Sequence, residues 1–162
     1  MTATRIDDVL NYLVALARAA QATTLADVTV QDGPWPARYV VTDADFLILG
    51  GDFDPTNLDV SAVTSVQTPN PMGNRSADED LTVACVAVSQ SGDPAAMGTC
   101  RAKAVATVEA FEDLLTADPM LGGLLQSQAL LSVTSLRQVQ TDGGPYCAVN
   151  FTVNASALIW NG

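Results

Sequence analysis

The stretch Val149-Asn150-Phe151-Thr152-Val153-Asn154-Ala155-Ser156-Ala157-Leu158-Ile159 decides the fold class. Apolar side chains at 149, 151, 153, 155, 157 and 159 alternate with Asn150, Thr152, Asn154 and Ser156. Successive side chains of a strand leave opposite faces, so this period of two predicts a strand with one apolar face and one polar face. Just upstream, Leu131, Val133 and Val139 alternate with polar neighbours as far as Thr141, and Asp142-Gly143-Gly144-Pro145 supplies a turn. The last third of the chain therefore reads as a β-hairpin.

Working outward, Leu81-Thr82-Val83-Ala84-Cys85-Val86-Ala87-Val88 is apolar on both sides and predicts a central strand. Asp45-Phe46-Leu47-Ile48-Leu49 is a continuous run of the same kind, broken by Gly50-Gly51-Asp52-Phe53-Asp54-Pro55. Val28 to Val30 reads as a short strand stopped by Asp32-Gly33-Pro34-Trp35-Pro36, and a looser strand is expected around Val60 to Thr68. Two helices flank these strands. Thr4 followed by Asp7 is a weak capping box, after which Ile6, Val9, Leu10, Leu13, Leu16, Ala17 and Ala20 make one apolar stripe. That helix is expected to run for about 20 residues and to end near Thr23-Thr24. Asp93-Pro94 predicts a second start, with Asp as N-cap and Pro at the first helical position. Met97, Arg101, Ala104, Val108, Phe111 and Leu115 share a face before Asp118-Pro119 ends it. The order of helix, strands, helix and hairpin predicts an α+β fold: a mostly antiparallel sheet packed by two main α-helices, one domain over residues 1–162.

Between strands, Pro69 to Asp78 has loop chemistry throughout and is longer than the usual connection of about 4–6 residues. Pro69, Asn70, Pro71, Met72, Asn74 and Arg75 are its candidate contact residues, because Met adapts to apolar partners and Arg75 is the only basic residue between Arg38 and Arg101. It is expected to act as a docking arm.

The 162 residues are 48% hydrophobic, with 7 Lys+Arg against 18 Asp+Glu and a net charge of −11. Such a surface repels phosphate backbones and anionic membranes, which disfavours a nucleic-acid reader. No stretch approaches the roughly 20 apolar residues that span a bilayer. The start of the chain lacks the basic then apolar pattern of a signal peptide, so folding in a cytoplasm is expected. Cys85, Cys100 and Cys147 are sparse and odd in number, which reads as free, partly buried thiols.

Chemistry is scarce. Histidine is absent, so no Ser-His-Asp or Cys-His pair and no imidazole base exists. Three scattered cysteines cannot close a four-thiolate zinc site. No phosphate-cradling glycine motif occurs. Asp52-Phe53-Asp54 with Asp59 suggests a calcium loop, but Asn57 and Val63 stand where that pattern requires Gly and Glu. Neither an enzyme nor a cofactor is expected.

The order of short motifs resembles the tail terminator proteins of siphophages, particularly those infecting actinobacteria. The likeness rests on Val30-Gln31-Asp32-Gly33-Pro34, Phe46 through Pro55, and Asp78-Glu79-Asp80 opening a strand that runs to Ser89-Gln90-Ser91-Gly92-Asp93. It continues through the Arg101 helix, Asp118-Pro119-Met120-Leu121-Gly122-Gly123, Asp142-Gly143-Gly144 and Val149 to Val153. It covers nearly the whole chain through order and spacing, whereas the 68–77 loop matches no family pattern. The resemblance implies a subunit of a hexameric ring that caps the tail tube, ends its polymerisation and meets the head connector. Its partners would be copies of itself, the tail tube protein and a connector or stopper protein, with a place in the virion tail or neck. The genome would pass through without specific binding, and no membrane is involved. Asp43, Asp45, Asp52, Asp54 and Asp59 cluster in a stretch free of Lys and Arg and are expected to border the lumen. The alternatives are another neck component, such as a head-tail stopper or tail-completion protein, or a monomeric acidic binding module.

Overall fold

The computed structural model describes residues 3–34, 43–52, 61–71 and 75–160. In chain order the elements are α1 (Ile6–Ala20), β1 (Val28–Asp32), β2 (Ala44–Leu49), β3 (Val63–Pro69), β4 (Ser76–Gln90), α2 (Met97–Ala117), a single 3₁₀ turn (Leu121–Gly123), β5 (Leu130–Thr141) and β6 (Gly144–Trp160). The strands form one six-stranded sheet in the order β1-β2-β4-β6-β5, with β3 also paired to β4. Only β1 and β2 run parallel; the other pairs are antiparallel. The fold is α+β with a mostly antiparallel sheet, as the sequence pattern predicts.

The alternation in β6 does what its period requires. Val149, Phe151, Val153, Ala155 and Ala157 are buried on one face with Leu81, Val83, Cys85 and Ala87 of β4. Val9, Leu13 and Ala17 of α1 and Ala104, Val108, Phe111 and Leu115 of α2 close over them. The Phe111 and Phe151 rings lie 6.0 Å apart between centroids, tilted by 52°. The opposite face is polar along most of its length, but at one end Phe46, Ile48, Val86, Val88 and Ala148 form a second buried cluster. The continuous apolar runs of β2 and β4 thus have a use on both faces.

β4 spans two neighbours along one edge. Its first part pairs with β3, from Pro69↔Ala77 to Val63↔Val83, and its last part with β2, from Leu49↔Cys85 to Ala44↔Gln90. The exchange happens at Ala84, whose carbonyl accepts the Gly50 and Gly51 amides at 2.8 and 3.1 Å and whose amide donates to Ala62 O at 3.0 Å. Gly50 leaves β2 at φ +72°, and a Cβ there would sit 3.0 Å from Leu10 Cδ1. That combination of left-handed backbone and close packing selects glycine. At the β5–β6 turn a Cβ on Gly144 would fall 2.0 Å from the Ser91 carbonyl oxygen, so the hairpin can approach the end of β4 only with glycine there.

Three expectations need correction. α1 has 15 residues, because from Gln21 to Thr23 the amides reach back only three residues, to Arg18, Ala19 and Ala20. Asp93 does not cap α2, which begins at Met97 with Ala96 before it. Instead its carboxylate accepts the Ala95 amide at 2.9 Å and its carbonyl the Ala96 amide at 3.0 Å, a turn that precedes the helix. Finally, the loop expected from Pro69 to Asp78 is shorter: Pro69 closes β3 opposite Ala77, and Ser76, Ala77 and Asp78 belong to β4. Pro69 is tolerated at a strand end, where the ladder needs no further donor. The connection runs from 70 to 75, an ordinary length, so loop length does not argue for a docking arm.

Candidate functional site

Among the described residues, the acidic candidates singled out in sequence do not all share a surface. Asp43 accepts the Gly92 amide at 2.9 Å, and this bond, with help from the Ser91 hydroxyl, holds its carboxyl below the ordinary range. Asp45 accepts the Ser89 hydroxyl at 2.5 Å and lies 4.0 Å from Lys103 Nζ. Both line an open cleft of about 500 Å³ on the helix side of the sheet, with Leu25, Asp27, Val28 and Lys103. Asp52 lies elsewhere. It receives Arg137 Nη2 at 2.7 Å and borders a depression on the polar face with Ala84, Thr134, Asn150 and Thr152. Asp54 and Asp59 fall outside the described residues.

Of the loop residues, Pro69, Pro71 and Arg75 are exposed. Asn70 ties the connection shut, its amide donating to Ser76 O at 3.0 Å and its side chain to Ser76 Oγ at 3.1 Å. Met72 and Asn74 lie outside the described residues.

The site that sequence reasoning missed is Glu79, which is fully buried. Its carboxylate accepts Thr4 Oγ1 at 2.6 Å, the Arg5 amide at 2.6 Å, Ser65 Oγ at 2.7 Å and Gln67 Nε2 at 3.1 Å. Burial pushes the carboxyl up more than any single contact pulls it down. The four donors together outweigh that burial and hold it below its ordinary value. The charge sits at the start of α1, where the helix dipole and unpaired amides favour an anion. Its signal in sequence was position: in Asp78-Glu79-Asp80 the middle residue has the parity of Leu81 and Val83, and so points to the helices. A smaller polar joint links Tyr12 to Asp118, which also accepts the Gly122 amide.

All three cysteines are buried and unbridged. Burial pushes the Cys85 thiol up to about 12, and Cys100 and Cys147 are raised for the same reason. Among the described residues no three His, Cys, Asp or Glu are grouped to hold a metal ion, and no helix is long and apolar enough to cross a membrane.

The most exposed apolar structure is the edge strand β5. It has 12 residues and, among the described strands, pairs only with β6. Leu130, Val133 and Leu136 are 61%, 59% and 45% exposed. Val133 and Leu136 lie opposite Phe151 and Val149, so they stand on the helix side of the sheet. There Arg101 of α2 donates to Gln138 at 2.9 Å, and Val105, one turn on, is 40% exposed. Val105, Val133 and Leu136 form an apolar ridge along this open edge, whereas Leu130, opposite Asn154, stands on the polar face. The edge has no proline or lysine, the residues that commonly blunt such strands; its one irregularity is a shift of register between Val133 and Ser135.

No family model matches the chain, and no curated protein matches it. Among solved structures it is similar to a chain from the virion of a native gene transfer agent particle. The match has a TM-score of 0.45 and 12% identity, and covers 90% of this chain and 92% of that one.

Proposed function

We propose that this chain is a structural virion protein of the tail terminator type: a ring subunit, six to a ring, that caps the tail tube, ends its growth and meets the head connector. The observation that carries this reading is the open β5 edge with its exposed apolar ridge, a surface suited to another protein chain and not to a small substrate. The motifs behind the family resemblance also lie at joints of the fold. Gly50 marks the exchange at Ala84, Asp118 holds Tyr12 and Gly122, and Gly144 fits against Ser91. They specify a shape, as a ring part needs, and not a reaction.

On this reading the polar sheet face borders the channel. Of the described candidates Asp52 is the one on that face, joined by the exposed Asp80, whereas Asp43 and Asp45 open on the helix side; Asp54 and Asp59 remain proposed lumen residues. Carboxylates there keep a passing genome from gaining the counterion-release energy that basic channels gain. The connection at 70–75, with Pro69, Asn70, Pro71 and Arg75 around it, is proposed as a contact with a tube or connector protein.

The test is to polymerise the matching tail tube protein with and without this chain and to image the products. Capped tubes of limited length with six copies at one end are expected. Unchanged growth, one copy per tube or another symmetry would overturn the reading, and binding to heads but not tubes would favour a stopper.

A further inference from the structure

The ridge on β5 has a counterpart on the same molecule. We propose that β5 of one copy docks into the cleft beside β1 of the next, so that neighbours join head to tail; this rests on the ring reading above and names its contact. Three observations lead there.

The first is charge. The whole net charge of −11 arises before Pro119, and beyond it the chain carries only Arg137 and Asp142, one of each sign. Two acidic molecules repel when they approach, and like charges brought together across an interface cost several kcal/mol. The β5 and β6 strands themselves add no net charge to a contact, although Glu112 of α2 borders Leu130 and Leu131.

The second is complementarity. The ridge of Val105, Val133 and Leu136 has the Arg101 guanidinium at one end, tied to Gln138. The cleft offers Leu25 and Val28 as apolar floor and a rim of three carboxylates, Asp27, Asp43 and Asp45, against one cation, Lys103. Residues 19–37, which build β1 and its flanks, contain no Lys or Arg. An apolar ridge with a cation thus faces a partly apolar cleft whose rim is net negative.

The third is placement. β5 and β1 are the two ends of the strand order, and ridge and cleft are different surfaces on the two flanks of α2, with Val105 on one and Ala106 on the other. Different surfaces meeting in this way repeat from copy to copy and close into a ring when the rotation allows. A two-fold β5–β5 contact would instead stop at two copies.

The experiment uses the full chain and two variants that each spoil one side. Val133→Glu with Leu136→Glu places carboxylates on the ridge at exposed positions, and Ala106→Glu places one on the cleft wall at an exposed helix position. Circular dichroism melts identify any variant that fails to fold. Sedimentation velocity up to about 1 mM, the concentration scale of weak specific contacts, reads association. Wild type should associate, and each variant should do so at least about tenfold more weakly. An equal mixture of the two should form pairs and stop there, because one intact ridge meets one intact cleft. A monomeric wild type, a ridge variant that associates like wild type, or a mixture that forms no pairs would each overturn the proposal. Six-fold caps on tubes made by a ridge variant would sink this contact while leaving the ring reading intact. A two-fold dimer through β5 would sink both the docking geometry and the ring.

Discussion

The two ends of the long β4–β6 ladder are built on different principles. From Cys85 to Gln90 every residue of β4 is buried, with Cys85 and Ala87 under the helices and Val86 and Val88 in the second cluster. From Ser76 to Val83 the same strand alternates: Asp80 and Thr82 are exposed, and its buried side includes a carboxylate. The first end is held by apolar packing that has no preferred direction, the second by four directed hydrogen bonds to one charge. The comparison teaches that burial alone does not reveal what a strand is held by, and that the two ends should respond to different perturbations.

The largest effect is expected from emptying the apolar end. Phe151→Ala removes the ring packed at a tilt against Phe111 and should cost about 3–5 kcal/mol, read as a lower urea midpoint with an unchanged slope. At the polar end, Glu79→Ala removes the shared acceptor of Thr4, Ser65, Gln67 and the Arg5 amide; because Thr4 and Gln67 are exposed and can turn to water, it should cost about 1–3 kcal/mol in all. Amide exchange should rise first over residues 4–10 and 63–69, and uniform loss across the sheet would refute the contrast. Because the folded carboxyl titrates below its unfolded value of about 4.3, its contribution is complete above that pH and is lost as pH falls through the folded value. Wild type should therefore loosen at this end in acid, and Glu79→Gln should flatten that dependence. Cys85→Ser should cost about 1–3 kcal/mol for a buried hydroxyl without an assured partner; a wild-type Cys85 that reacts readily with thiol reagents at neutral pH in the folded state would contradict a thiol raised to about 12. The smallest effect belongs to Asp52→Asn, which breaks a half-exposed ion pair and should shift stability by less than about 1 kcal/mol.

Much of the apolar end was legible in sequence, because continuous runs such as Phe46 to Leu49 and Leu81 to Val88 admit few other readings. The alternation in β6 was equally plain, and a turn at Asp142–Pro145 followed from its chemistry, although Gly144 and Pro145 already pair within the ladder. The polar end was not. Asp78-Glu79-Asp80 was read as the opening of a strand, but charge normally marks solvent, and no local pattern reveals that donors 12 to 75 residues away converge on the middle residue. Proline at 69 and 71 hid a short hairpin for a similar reason, since proline forbids a strand interior but not a strand end. The separation of Asp43 and Asp45 from Asp52 depends on which sheet face each residue takes after the break at Gly50, which composition cannot show. The β5 ridge was present as Val133 and Leu136, but exposure belongs to the edge of a sheet and not to any residue.

The exchange at Ala84 makes β4 a shared spine with two independent tenants. Because β3 and β2 occupy separate lengths of its edge, the β3 hairpin can detach without unzipping β2, and β2 can shift without freeing the hairpin. The sheet therefore contains a natural line of partial opening, crossing β4 at one residue, along which one corner of the molecule can open while the helix-covered core stays closed.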